Sequence, residues 1–385
     1  MRNAELRCPH LPLFLAFYYL RRFHFRSEFQ SQLTDIEERD TLKQGKKIKM
    51  PVKDTPSLDI CARPRRNRKS RSIRNLVREN WLLPEDLVYP LFIHVKDHDE
   101  EIESMPGCRR WSVSGLVEEV RRAHVLGIGA VMIFPAVEDS LKSQFAEESY
   151  NPRGLVPEAV DALKEQVPEV SVITDIALDP YSSDGHDGVV SASGEILNDI
   201  TVEVLCKQAL CHATAGADIV APSDMMDGRV GAIREILDEE GYTNVSIMSY
   251  TAKYASSFYG PFRGALDSAP RGGDKMTYQM DPANSTEALR ELILDEEEGA
   301  DIVMVKPAGY YLDLVSLFRE NTDLPVAAYQ VSGEYLMIKA ACESGWLEEE
   351  KTVLESLLSI KRAGADIIIT YFARKAAEIL NQIRG

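Results

Sequence analysis

Cysteine is scarce in this sequence, and its spacing excludes two classes of small scaffold. The 385 residues contain six cysteines, and no two of them form a C-x-x-C pair. This pattern argues against a disulfide framework and against a structural zinc site built from thiolates. It is typical of a protein that works in a reducing compartment.

Long apolar runs are also missing, so we expect no membrane association. The segment Leu11–Leu20 is followed by Arg21 and Arg22 and is too short to span a bilayer. Residues 1–50 fit a signal peptide without a nearby cleavage site, a serine-poor transit peptide, or sequence upstream of a start at Met50, which we favour. We therefore expect a cytoplasmic protein, or a plastid one if residues 1–50 are a transit peptide.

Acidic residues dominate only part of the chain. The first 74 residues contain 18 basic and 8 acidic side chains, whereas the remainder contains 26 basic and 53 acidic ones. We predict an unassigned extension at 1–50, a basic arm at 51–85 and a folded domain at 86–385. Such arms bind nucleic acid or pack against an acidic subunit. No aromatic residues interleave with the basic cluster, so we expect no nucleic-acid partner.

Glycine-rich nucleotide loops are absent, which disfavours an open, doubly wound sheet. What the sequence has instead is a repeated unit, a short β-branched run followed by a helical-period segment. Eight such units in about 300 residues predict a TIM (β/α)8 barrel with an extended N-terminal arm. The predicted strands are Asp86–Val95, Ile128–Val137, Val170–Leu178, Asp218–Met225, Val245–Ala252, Asp301–Ala308, Pro325–Val331 and Asp366–Phe372.

Helices are predicted between these strands, for example over Val113–Leu126 and Asn284–Glu298, where apolar residues recur every three or four positions. The tripeptide Gly-Ala-Asp occurs three times, beginning at Gly216, Gly299 and Gly364, each time just before a predicted strand. Glycine commonly ends a helix. The three copies therefore predict a recurrent helix-to-strand turn.

Two lysines end neighbouring predicted strands. The fifth strand leads to Lys253 and the sixth to Lys306, which Pro307 follows. Active sites of TIM barrels lie at the carboxyl ends of the strands, so both amines should face one cavity. Two close ammonium groups lower each other's pKa, and a free amine can form an imine with a ketone. Pairing of each lysine with a carboxylate on the rim is the simpler alternative.

The third strand leads into an aspartate-rich loop. Four aspartates and His186 fall within the thirteen residues from Asp175 to Asp187, and Asp179 lies between them. Carboxylates without thiolates favour Mg²⁺ or Mn²⁺ over zinc. A solvated turn stabilised by local hydrogen bonds explains the composition equally well.

Further candidates follow the other strands. Ser223 and Asp224 after the fourth strand are site residues or helix caps. Residues 256–284, which contain Arg263, Lys275 and Gln279, form a predicted lid for an anionic substrate. Ser332 after the seventh strand is an anion ligand or a cap, and Tyr371 after the eighth is a site residue or a buried structural tyrosine.

From about Arg63 to the C-terminus the sequence resembles the porphobilinogen synthase (5-aminolevulinate dehydratase) family. The resemblance is carried by the segments around Lys253 and Lys306 and by Ala221–Val230. It implies that Lys306 forms a Schiff base with one 5-aminolevulinic acid molecule, and that Lys253 forms a Schiff base with the second or acts in proton transfer. The reaction is a hydro-lyase step of tetrapyrrole biosynthesis. It also implies substrate-binding roles for Asp175, Ser223, Asp224, Arg263, Lys275, Gln279, Ser332 and Tyr371.

The resemblance further implies a metal and an assembly. Positions where one branch of the family has zinc-binding cysteines are Ala177, Asp179 and Asp187, so the sequence resembles the aspartate-rich, magnesium-type branch without a zinc–cysteine site. Asp179 and Asp187 are candidate ligands of an active-site metal, and Glu291 of an allosteric Mg²⁺. The family's usual assembly is a homo-octamer in which arms embrace neighbouring subunits. A class I aldolase and a non-catalytic barrel scaffold are the alternatives.

Overall fold

The computed structural model describes residues 60–266 and 268–384. The chain divides into two compact units between Arg74 and Asn75. In the first unit, a short 3-10 helix covers Pro64–Arg68 and a helix begins at Arg71. The predicted extension at 1–50 and the first part of the predicted arm lie outside the described residues.

Eight parallel strands form a closed barrel in the second unit. Each strand pairs with its neighbours in sequence order, and the last strand pairs with the first through Leu87–Ile368 and Val88–Ile369. The predicted TIM barrel is therefore confirmed, and the open sheet is wrong. The strands are β1 (Leu87–Ile93), β2 (Ala130–Pro135), β3 (Ser171–Ile176), β4 (Ile219–Pro222), β5 (Ser246–Lys253), β6 (Ile302–Lys306), β7 (Val326–Gln330) and β8 (Ile367–Thr370).

Helices follow the strands and cover the outside of the barrel. The helix predicted to begin at Asn284 begins two residues later, because Ser285 is its N-cap. A further helix, Ser332–Glu343, lies between β7 and the seventh outer helix. The outer helices are α1 (Val113–Val125), α2 (Leu155–Gln166), α3 (Asn198–Thr214), α4 (Arg229–Glu239), α5 (Thr286–Glu297), α6 (Leu312–Asn321), α7 (Glu349–Ala363) and α8 (Ala373–Arg384).

Alternation along the strands divides the apolar side chains between two faces. In β2, Met132 and Phe134 belong to the main core cluster, whereas Val131 and Ile133 belong to a second cluster. The second cluster also contains Leu116 of α1 and other apolar residues of α1 and α2. Both faces of the strand are therefore buried, which explains its continuous apolar run.

The three Gly-Ala-Asp tripeptides are helix-to-strand turns, as predicted, and each aspartate has a specific contact. Each aspartate exchanges two hydrogen bonds with one residue of an adjacent strand. The aspartate carboxylate accepts the backbone N–H of that residue, and the aspartate N–H donates to the carbonyl of that residue. This pair of hydrogen bonds fixes the start of one strand beside the start of its neighbour. The carboxylate contacts are Asp218 to Val172 at 2.7 Å, Asp301 to Ile247 at 2.7 Å and Asp366 to Val326 at 2.9 Å.

The long segment after β5, which we predicted to be a lid, begins with secondary structure of its own. A 3-10 turn at Ser257–Tyr259 continues into the helix Gly260–Leu266, which we call the lid helix. A short antiparallel pair, Glu100–Glu101 with Arg109–Trp111, lies next to β1. These elements lie at the carboxyl ends of the strands, where the predicted site residues converge.

Candidate active site

Two buried lysines end adjacent strands. Lys253 is the last residue of β5 and Lys306 the last of β6, and the two are direct partners in the parallel register. Each residue is only 6% exposed. A bulge between Ser249 and Ala252 shifts the register of β5 before this pair. The two amines therefore belong to one buried site, as the strand order predicts.

Aromatic rings surround the amine of Lys306. Its Nζ lies 4.5 Å from the ring centre of Tyr329, 4.8 Å from that of Tyr250 and 5.3 Å from those of Tyr259 and Phe262. Burial, together with the charge of Lys253, lowers the pKa of Lys306 to about 7. A substantial fraction of this amine is therefore neutral at physiological pH.

Lys253 has polar neighbours instead. Its ammonium donates a hydrogen bond to the carbonyl oxygen of Ser223 and lies 3.7 Å from Asp187 Oδ1. The ring centre of Tyr250 lies 5.8 Å away. The two lysines thus occupy different surroundings, one aromatic and one with a carboxylate partner, which permits different chemical roles.

The aspartate-rich loop brings two carboxylates to a third lysine. Lys275 of the lid segment lies 3.2 Å from Asp179 Oδ2 and 3.1 Å from Asp187 Oδ2. Burial raises the pKa of Asp179, whereas for Asp187 the charges of Lys253 and Lys275 outweigh burial and lower it. Burial alone would lower the pKa of Lys275, but the two carboxylates raise it.

This arrangement does not fit a metal at Asp179 and Asp187, because the ammonium of Lys275 lies where a cation would bind. His186 is also engaged, since its ring nitrogens contact the hydroxyl of Tyr278 and the carbonyl of Gly272 at 3.1 and 2.8 Å. In the described part of the chain, no group of three or more His, Cys, Asp or Glu side chains could hold a metal ion together.

Asp175, near the end of β3, has a buried Oδ1 and interacts electrostatically with both lysines. Burial raises its pKa to about 6, although the positive charges of Lys306 and Lys253 oppose this shift. Ser223 hydrogen-bonds to the same carboxyl group and favours its charged form. A group with this pKa exchanges protons readily near neutral pH.

Asp224 lies in a second, fully buried network. Its Oδ2 is 3.7 Å from Nε of Arg229, whose Nη1 lies 3.6 Å from Oδ1 of Asp295. Ser249 donates to Asp295 at 2.6 Å and accepts from Arg229 at 3.2 Å. Burial raises the pKa of Asp224 to about 6. Arg229 was not among the predicted site residues. Its burial beside Asp224 and Asp295, which the sequence pattern does not indicate, marks it as part of this network.

Nine of the predicted residues line one small cavity, which encloses about 30 Å³. Asp224, Ser332 and Tyr371 are not among its lining residues. Tyr371 instead contacts the hydroxyl of Tyr329 at 3.1 Å. The cavity is lined by Asp175, Asp179, Asp187, Ser223, Lys253, Arg263, Lys275, Gln279 and Lys306, and by three aromatic residues that we did not predict, Phe134, Tyr259 and Phe262.

The lid helix, which carries Arg263, is held over this cavity from two sides. Arg110 donates to the carbonyls of Ala265 and Gly264 at 2.7 and 3.1 Å, near the helix C-terminus. On the other side Ser332 Oγ accepts from the N–H of Phe262 at 3.1 Å. Ser332 begins the helix Ser332–Glu343, and Val331 is its N-cap. Ser332 is therefore a lid contact rather than the helix cap.

Glu291 lies apart from the lysines, on α5. It is half-buried, and burial raises its pKa. A cavity of about 310 Å³ beside it is also lined by Asp227 and Glu287. Arg229 lowers the pKa of Glu291 through its charge, so this glutamate is electrostatically linked to the buried network of Asp224.

The chain matches a family model, described as delta-aminolevulinic acid dehydratase, over residues 61–379. The chain belongs to this dehydratase family. The predicted family and the predicted lyase class are confirmed. Membership of the dehydratase family also decides against the class I aldolase and the scaffold as descriptions of the chain.

Relatives of known name cover most of the chain. A chloroplastic delta-aminolevulinic acid dehydratase of Glycine max is 59% identical over 327 residues, which are 84% of this chain and 79% of that protein. The chloroplastic enzyme of Physcomitrium patens is 59% identical over 331 residues, 85% of this chain and 76% of that protein.

A solved structure of the family has the same fold. The crystal structure of the dehydratase (porphobilinogen synthase) from Toxoplasma gondii ME49, in complex with the product porphobilinogen, is 58% identical and superposes with a TM-score of 0.84. The match covers 86% of this chain and 94% of that one. Among the described helices of this dehydratase chain, none has the length and apolar character needed to cross a membrane.

Proposed function

We propose that this chain joins two molecules of 5-aminolevulinic acid into porphobilinogen, with loss of two waters, through imines on Lys306 and Lys253. The observation that carries the proposal is the pair of buried lysines, which are register partners at the ends of β5 and β6. Membership of the dehydratase family supports the reaction. Tetrapyrrole biosynthesis is the pathway that uses such a product.

Lys306 is a competent nucleophile at neutral pH. Its pKa of about 7 leaves free amine to attack a ketone carbon, after which the carbonyl oxygen departs as water and an imine remains. The surrounding aromatic rings exclude water from the reacting carbon. Asp175, with a pKa of about 6, can donate and accept the protons that these steps move.

Lys253 binds the second substrate molecule as an imine or transfers protons. Its contact with Asp187 keeps a carboxylate next to the reacting amine. We assign Ser223 to the wall of the site, and Arg263, Lys275 and Gln279 to the acetate-side carboxylate. Asp224 acts on the site from the buried network of Arg229, through its charge. Ser332 and Tyr371, which lie outside the cavity lining, remain our candidates for the propionate-side carboxylate once the lid moves. Arg263, Lys275 and Gln279 of the lid segment line the cavity, so we propose that the lid moves to admit the substrate and closes over it.

We assign no metal to Asp179 and Asp187, because both contact Lys275. A Mg²⁺ at Glu291 fits the donor chemistry better. Mg²⁺ prefers carboxylate oxygens and keeps several waters, so one or two carboxylates suffice. Glu291 lines an acidic cavity with Asp227 and Glu287. When bound there, the ion would supply positive charge next to this cluster and act allosterically.

We propose that the basic segment at 51–85 contacts a neighbouring subunit in a homo-octamer, since its charge is opposite to that of the barrel domain. The names of the plant and moss relatives support a plastid location over a cytoplasmic one.

The test measures porphobilinogen formation from 5-aminolevulinic acid by chelator-stripped protein, with and without Mg²⁺. We expect product in both conditions, more with Mg²⁺, and at least a thousandfold loss in Lys306→Met. Lys351→Met, which changes an exposed lysine (side chain 78% exposed), is the matched control. Product formation by a folded Lys306→Met variant near the control rate would refute the mechanism.

A further inference from the structure

Helix Ser332–Glu343 begins next to the turn that follows Lys306. The carboxylate of Glu334, only 4% exposed, reaches from the first turn of this helix to the neighbouring strand end. Oε2 accepts the N–H of Val331 at 2.7 Å, and Oε1 accepts the N–H of Gly309 at 2.6 Å. One side chain therefore joins the exit of β6 to the exit of β7.

Gly309 permits this close approach. A Cβ atom at this position would lie 2.5 Å from Glu334 Oε1, which is closer than real Cβ atoms come to other atoms. Gly309 is not among the glycines with a positive φ. The requirement for glycine is therefore set by the glutamate, and not by the backbone conformation.

The main chain of Lys306 is held on its other side as well. Its carbonyl oxygen accepts the N–H of Tyr254 and the hydroxyl of Tyr259, both at 3.1 Å. Only Pro307 and Ala308 separate Lys306 from Gly309. The contacts of Glu334 and those of the two tyrosines therefore fix the backbone from which the Lys306 side chain extends.

We propose that Glu334 is a positioning residue for Lys306, and that its carboxylate sets the direction from which the amine meets the ketone of the substrate. The inference rests on the proposed function, because it concerns the lysine that forms the imine. A carboxylate suits the task because it only accepts hydrogen bonds, and the backbone N–H groups of Val331 and Gly309 both donate to it. A displacement of about 1 Å at a reacting group is enough to slow a reaction about a hundredfold.

The experiment follows imine formation at Lys306 by borohydride trapping with levulinic acid, a 4-oxo acid, and locates the label by mass spectrometry. We expect Glu334→Gln to lower the trapping rate at saturating levulinic acid about tenfold, because the amide replaces one acceptor with a donor. The concentration of levulinic acid that gives half-maximal trapping should stay within about twofold of the wild-type value, since none of the residues assigned to bind substrate carboxylates is changed. Glu343→Gln, an exposed residue at the end of the same helix, is the control.

A double-variant cycle separates positioning from general loss of structure. Gly309→Ala should slow trapping about as much as Glu334→Ala, because its Cβ displaces the carboxylate. The double variant should be no slower than Glu334→Ala alone, because the atom that clashes is gone. The inference would be overturned if the loss of trapping rate in the double variant equalled the product of the two single losses. It would also be overturned if both single variants trapped at the wild-type rate.

Failure of the imine mechanism and failure of the role of Glu334 give different labelling results. If wild-type protein takes no label at Lys306, the proposed function fails. If wild-type protein is labelled at Lys306 and both Glu334→Gln and Gly309→Ala are labelled as fast as the wild type, only the role of Glu334 fails. Thermal unfolding of each variant shows whether the barrel is intact, and Gly309→Ala tests the same contact if Glu334→Ala does not fold.

Discussion

At the scale of single residues, burial assigns different protonation behaviour to similar groups. Burial raises the pKa of Asp175 to about 6, whereas nearby lysines lower that of Asp187. Each carboxyl group has a buried oxygen, but Asp187 is close to two ammonium groups and carries its charge at neutral pH. The site therefore contains one carboxyl group able to exchange protons and one that acts as a fixed anion.

The lowered pKa of Lys306 predicts a pH dependence. The neutral amine attacks the ketone, so imine trapping at Lys306 should rise between about pH 6 and pH 8 and then level off, following its pKa of about 7. An ordinary lysine would give a rate that still increases above pH 9. The measurement is borohydride trapping with levulinic acid across this range.

A variant of Asp175 checks the cause of this titration. The charged groups that act on Lys306 are Lys253, Asp175, Asp187 and Asp179. The carboxylate of Asp175 favours the charged lysine, so Asp175→Asn should move the midpoint to lower pH. A midpoint that moves upward would contradict this account.

At the scale of elements, the lid helix depends on the short strand pair beside β1. Arg110 donates two hydrogen bonds to carbonyls near the C-terminus of the lid helix, and Ser104 donates to Pro261 at its start at 3.1 Å. A guanidinium at a helix C-terminus satisfies free carbonyls and interacts favourably with the helix dipole. Closure of the lid is therefore stabilised by residues far from the lysines in sequence.

Loss of these contacts should weaken substrate capture. We expect Arg110→Ala to lower kcat/KM for porphobilinogen formation about tenfold, because two charge-assisted hydrogen bonds of the closed lid are lost. Arg109→Ala, which removes a neighbouring arginine paired with exposed Glu101, should change kcat/KM less than twofold. Equal kcat/KM values for the two variants would mean that Arg110 does not hold the lid.

At the scale of the whole molecule, buried charges connect α5 to the lysines. Glu291 on α5 and Asp224 after β4 both act on the guanidinium of Arg229, and Asp224 in turn interacts with Lys253. A cation bound at Glu291 would reduce the negative charge that Arg229 experiences. Arg229 would then interact more strongly with Asp224, which gives the proposed Mg²⁺ site a physical route to the reaction.

Removal of Glu291 should therefore separate activation from folding. We expect Glu291→Ala to unfold at the wild-type temperature and to keep its metal-free activity within about twofold. We expect its stimulation by Mg²⁺ to be lost. Glu297→Ala, an exposed residue of the same helix, is the control and should retain the stimulation. Stimulation of Glu291→Ala equal to that of the control would place the magnesium effect elsewhere.

Sequence alone determined the architecture of the barrel and the location of its site. Each buried strand is a local apolar run, and each Gly-Ala-Asp turn is a local motif, so eight units could be counted before any contact was known. Parallel neighbours bring their carboxyl ends together, which placed Lys253 beside Lys306. These features depend on residues close in sequence and on the regular geometry of the barrel.

Only the tertiary structure decided what those residues contact. Asp179 and Asp187 resembled metal ligands in sequence, but Lys275, about ninety positions away, lies against both. The rings around Lys306 come from separate strands and the lid, and Glu334 meets Gly309 across 25 positions. Such pairings, and the burial that shifts their pKa values, arise because folding places distant segments side by side, and no local pattern encodes that distance.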